Sequence, residues 1–123
     1  MPKKILVVDD NSETRKVLKA RLNEYGFEVL EAADGSLGFG VAKREKPDLV
    51  LLDIMMPGQN GIETYNALKK DLATKAIPVV FLTGLAQDSV PLQSSSNPQE
   101  RYWVVGKPYQ PEELLKTIKQ ALV

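Results

Sequence analysis

Ile5-Leu6-Val7-Val8-Asp9-Asp10 is a run of four aliphatic residues followed at once by two carboxylates. The run does not alternate with polar residues, and three of its four members are β-branched. Successive side chains on a strand point to opposite faces, so an unbroken apolar run of this length is buried on both sides. That is the pattern of a parallel sheet covered by helices. It recurs at Leu49-Val50-Leu51-Leu52, which ends in Asp53, and at Val79-Val80-Phe81-Leu82, which ends in Thr83. A shorter version, Trp103-Val104-Val105, stops just before Lys107. Phe27-Glu28-Val29-Leu30-Glu31 mixes charge with apolar residues and reads as a strand nearer the sheet edge.

Helical signals fall between these runs. Asn11 or Ser12 is a suitable N-cap, Val17, Leu18, Leu22 and Tyr25 fall along one face, and Gly26 suits the stop. Asp34 starts a second helix running to about Arg44, weakened by Gly38 and Gly40. Ile62, Tyr65, Leu68 and Leu72 mark a third. The clearest has Pro111 in its first turn, Glu112 and Glu113 at the positive end, and Leu114, Leu115, Ile118 and Leu122 on one face. Residues 89–99 should hold a helix by alternation, yet contain Pro91, the run Ser94-Ser95-Ser96 and Pro98, which predicts a short or broken one. Strand and helix in alternation give a doubly wound α/β sheet.

The bulk composition narrows the chemistry. The 123 residues predict one domain, with no output domain expected in this chain, and no internal repeat or linker is visible. Lys+Arg and Asp+Glu are both 16, so no net charge draws the chain to nucleic acid or to an anionic membrane. Cysteine and histidine are both absent. This excludes disulfides, thiolate and imidazole catalysis, Cys- or His-ligated metals, and a role as histidine phosphodonor. No apolar stretch has membrane-spanning or signal-peptide length, and a cytoplasmic protein is the expectation.

Ligands of open parallel sheets bind beyond the carboxyl ends of the strands. Those ends carry Asp9 and Asp10, Asp53, Thr83 and, after the last strand, Lys107. Singly, each residue has an ordinary explanation: an aspartate or threonine as a cap, a lysine in solvent. Together they place three carboxylates, a hydroxyl and an ammonium on one rim. Crowded carboxylates repel, and an all-oxygen set with room for phosphate oxygens suits magnesium. A carboxylate can itself accept a phosphoryl group.

These residues resemble the bacterial response-regulator receiver family of two-component phosphorelay systems. The likeness runs through residues 4–11, through Pro47-Asp48-Leu49-Val50-Leu51-Leu52-Asp53-Ile54-Met55-Met56-Pro57-Gly58 with Gly61, and through residues 78–84 and Lys107-Pro108-Tyr109. The resemblance implies a flavodoxin-like, five-stranded parallel sheet of order 2-1-3-4-5, here with an irregular or shortened fourth helix. It implies Asp53 as phosphoacceptor, with Thr83 and Lys107 contacting the phosphoryl group and a cis bond between Lys107 and Pro108. Magnesium would be held by Asp10, Asp53 and the Met55 carbonyl, with Asp9 assisting partly through water. The implied partner is a histidine kinase or histidine phosphotransfer protein. No nucleic-acid or membrane partner is expected, and the downstream protein and the oligomeric state are not legible. The only catalysis implied is of the domain's own phosphorylation and dephosphorylation.

Two departures stand out. The family usually carries Tyr or Phe three positions before the lysine, where this chain has Val104. Tyr102 and Trp103 lie near it but out of register, so that a bulge would be needed to substitute either ring. The usual Gly-Ala pair before the fifth strand is missing, and residues 89–101 match nothing standard. These features leave room for an alternative, a receiver-like interaction module that signals without phosphorylation. A haloacid-dehalogenase-type phosphatase wants an acid two positions after its nucleophile, where Met55 stands. A nucleotide-binding domain wants a glycine-rich loop after the first strand, where Asp9-Asp10-Asn11-Ser12 stands.

Overall fold

The computed structural model describes residues 2–54, 61–83, 102–106 and 110–122; of Thr83 only the backbone belongs to this set. Met55, Lys107, Pro108 and the 84–101 segment, with its expected short fourth helix, lie outside the described residues. The described elements are β1 (Lys4–Val8), α1 (Ser12–Glu24), β2 (Glu28–Ala32), α2 (Gly35–Glu45), β3 (Leu49–Asp53), α3 (Gly61–Lys70), β4 (Val79–Thr83), β5 (Tyr102–Gly106) and α4 (Pro111–Ala121). All neighbouring strand pairs are parallel, in the order β2-β1-β3-β4-β5.

Strand alternation divides the core in two. Leu6, Val8, Val50, Leu52, Val79 and Phe81 face α2 and α3 and meet Ala42, Tyr65 and Leu68. Ile5, Val7, Leu49, Leu51, Val80 and Leu82 face α1 and α4 and meet Leu18, Leu22, Leu114 and Ile118. The continuous apolar runs are therefore buried on both faces. The mixed run is the edge strand β2, where Glu28 and Glu31 are exposed.

Local chemistry sets the helix ends. Asn11 is the N-cap of α1, its side chain accepting from the N–H groups of Glu13 (2.9 Å) and Thr14 (3.1 Å). Asp34 caps α2 through Leu37 N–H at 2.8 Å. Gly26, with φ +90°, turns the chain after α1. Gly38 does not merely weaken α2: a Cβ there would sit 2.8 Å from Val8 Cγ2, so its absence lets the helix approach β1.

Several expected core positions are corrected. Val17 is 57% exposed, because it sits about a quarter-turn of helix away from the buried Leu18–Leu22 stripe. Tyr25 is also exposed, as the C-cap. Leu72 is 83% exposed, because α3 ends at Lys70. That end is fixed by Thr74, whose buried hydroxyl donates to the Leu68 carbonyl at 2.6 Å. In α4 the inner face is Leu114, Ile118 and Ala121, with Leu115 only partly covered.

The register of β4 with β5 is unbroken from Val79–Tyr102 to Thr83–Gly106. Tyr102 therefore shares the face of Val104 with no bulge, since the two are two positions apart. Its ring packs edge-on against Tyr65 and Phe81, at centroid distances of 5.6 and 5.9 Å.

Candidate functional site

The chain leaves β1, forms β2 on one side of it, and returns to form β3 on the other. The carboxyl ends of β1 and β3 thus flank the point where strand order reverses, and a crevice opens there. Asp9 and Asp10 follow β1 directly, and Asp53 is the last residue of β3. Each of the three offers a carboxylate oxygen, and these oxygens all lie within 4.8 Å of one another. Asp9 is 2% exposed and Asp53 9%, while Asp10 faces solvent.

Asp9 is held by its backbone as well as by its side chain. Its N–H donates to the Ala32 carbonyl at 3.1 Å, its carbonyl accepts from Arg15 Nη1 at 2.6 Å, and its Oδ1 accepts from Asn11 N–H at 2.9 Å. One carboxylate is thereby fixed to the α1 N-terminus, and Asp10 is presented beside it. Asp53 is held from the other side. The Gly61 N–H donates to the Ile54 carbonyl at 2.8 Å. A Cβ on Gly61 would collide with the Asp53 carbonyl oxygen and lie 2.8 Å from Ile54 Cα.

Three of the expected site residues are therefore brought together. Thr83 ends β4 one residue beyond Leu82, the partner of Asp53, so its backbone lies on the same rim. The Thr83 side chain, Lys107 and the Met55 carbonyl lie outside the described residues. Sequence reasoning missed Arg15 and Glu31. The available signal was an arginine one turn after the N-cap, where the helix dipole disfavours a cation, together with an acid near the end of an edge strand.

The donor set is oxygen only, partly buried and acidic, which suits a hard divalent cation that keeps some of its waters. No helix among the described residues is long and apolar enough to cross a membrane. The family model for the response regulator receiver domain matches residues 5–119. The chain is 40% identical over 119 residues to the protein PilH of Pseudomonas aeruginosa, covering 97% of each chain. It is similar in structure to the chemotaxis protein CheY4 of Vibrio cholerae, with a TM-score of 0.83 and 30% identity over 99% of this chain and all of that one. It also shares its fold with the receiver domain of a sensor histidine kinase from Pseudomonas aeruginosa, a structure with a magnesium ion in its active-site cleft. There the TM-score is 0.85 at 23% identity, over 99% and 98% of the two chains. The chain belongs to the response-regulator receiver domain family, signalling modules that work as phosphorylation-dependent switches.

Proposed function

We propose that Asp53 is the phosphoacceptor of this switch and that Asp9, Asp10 and Asp53, with the Met55 carbonyl, hold magnesium beside it. The convergence of three carboxylate oxygens within 4.8 Å at the crevice carries this reading. Such a cluster is unfavourable without a cation, and its oxygen-only donors fit magnesium. The magnesium-bound receiver domain of similar fold supports the choice of metal.

When bound, magnesium supplies positive charge against the transferring phosphoryl oxygens. The protein's own residues do the rest. An Asp53 carboxylate oxygen attacks phosphorus in line with the leaving nitrogen of a phosphohistidine. The oxygen–phosphorus bond forms, the phosphorus–nitrogen bond breaks, and the imidazole nitrogen takes up a proton. Water later attacks phosphorus and restores the carboxylate, releasing phosphate. Lys107 and the Thr83 hydroxyl are proposed to bond phosphoryl oxygens. The donor is a histidine kinase or histidine phosphotransfer protein, which with the cysteine-free composition goes with a cytoplasmic location. Nothing favours the alternative of signalling without phosphorylation.

Calorimetry tests the metal. Magnesium should bind the wild type in the millimolar range or tighter, and Asp10→Asn should lose that binding. A folded wild type that binds no magnesium would remove the proposal.

A further inference from the structure

We infer that Arg15 is a positioning residue for the acidic pair, and that Glu31 holds Arg15 in place. The inference rests on the proposed magnesium site and extends it by one layer. A cation near the start of α1 works against the helix dipole, so the helix itself gives no reason for an arginine there. Its contacts do. Nη1 donates to the Asp9 carbonyl at 2.6 Å, and Nε donates to Glu31 Oε1 at 3.3 Å. Lys19 reaches the other Glu31 oxygen at 3.7 Å. The guanidinium is mostly covered, with its side chain 18% exposed. It spans α1, the end of β1 and the end of β2 in one rigid fork.

The peptide group after Asp9 is planar, so fixing its carbonyl also fixes the direction in which Asp10 departs. With Asp9 N–H held by Ala32 and Oδ1 held by Asn11, the Arg15 bond completes the clamp on that residue. A lysine could reach one of the two acceptors but could not hold both in a planar fork. Outer partners that hold metal-binding residues in place commonly change metal affinity about ten- to a hundred-fold when removed.

The sign of the effect separates positioning from charge. Arg15→Ala removes a positive charge close to a cation site and leaves Glu31 less neutralised, so electrostatics alone would tighten magnesium binding. Positioning predicts the reverse: affinity by calorimetry falls about ten-fold or more. Arg15→Lys should lie between Arg15→Ala and the wild type, and Glu31→Gln should weaken binding in the same direction. In labelling with a small phosphodonor, the magnesium concentration for half-maximal rate should rise, while the rate at saturating magnesium stays near that of the wild type. Unchanged or tighter binding in Arg15→Ala, with an unaltered circular dichroism spectrum, overturns the inference. If the alanine variant does not fold, unchanged affinity in Arg15→Lys overturns it equally. A wild type that binds no magnesium removes the underlying site and this inference with it; a wild type that binds alongside unaffected variants removes the inference alone.

Discussion

Gly61, the first residue of α3, lies so close to the Asp53 carbonyl oxygen that no side chain fits between them. The contact joins the helix that follows β3 to the backbone of the proposed acceptor. Gly61→Ala must push α3 or β3 aside, and overpacking of this kind costs about 1–3 kcal/mol. Urea unfolding should show that loss, and labelling by acetyl phosphate should slow more than in Gly40→Ala, where a Cβ meets nothing within 4 Å. Equal labelling of the two variants would separate Gly61 from the acceptor's geometry.

Tyr102 carries a buried hydroxyl that finds no hydrogen-bond partner among the described residues. A desolvated, unpaired hydroxyl is unfavourable, so Tyr102→Phe should unfold at higher urea, by about 1 kcal/mol. Burial also raises the Tyr102 pKa above its ordinary value. The unfolded chain therefore loses this proton first as pH rises. Wild-type stability from this group is intact below an unfolded pKa of about 10 and is lost above it, up to the folded value. The phenylalanine variant should lack that alkaline loss. An identical alkaline profile for the two proteins would contradict this account.

Ile118 and Leu115 of α4 should behave differently from each other. Ile118 and Leu114 are fully buried, whereas Leu115 lies beside Glu112, Lys116 and Lys119 along the outer part of the helix. Ile118→Ala should cost about 2–5 kcal/mol by urea unfolding. Leu115→Ala should cost about 1 kcal/mol or less. Equal losses would mean that the helix is rotated from the orientation described.

Asp71 offers an acid-range test. Its carboxyl is held below the usual carboxylate range first by the Ala73 N–H and then by Lys43, with which it pairs at 3.2 Å. A lowered folded pKa means stability present above the unfolded value and lost as pH falls through the folded one. Asp71→Asn should therefore be less stable than the wild type at neutral pH, and the gap should close below about pH 4. A gap that is constant with pH would show that the charge is not involved.

Much of this was legible from residue type and spacing. Continuous apolar runs gave both-face burial, because the pleat leaves no other place for such side chains. The acids at the run ends fell on one rim for the same reason. What was not legible depended on distance across the fold. Nothing local marks Leu115 as outside and Ala121 as inside, since both are apolar and the 114/118/121 and 115/118/122 stripes both follow helical spacing. Tyr102 stands two positions before the family's usual aromatic position, yet strand parity alone puts it on the face of Val104. Arg15 and Glu31 are separated by 16 residues and meet only because α1 packs over β1 and β2.

The most direct measurement is intact-mass and peptide mapping of the protein after incubation with acetyl phosphate and magnesium. The account predicts one phosphoryl adduct, on the peptide containing Asp53, stable in acid, labile in alkali, and absent when magnesium is chelated or Asp53 is replaced by asparagine. An adduct of equal yield on Asp53→Asn, or none on a folded wild type that binds magnesium, would contradict the assignment of Asp53 as the phosphoacceptor.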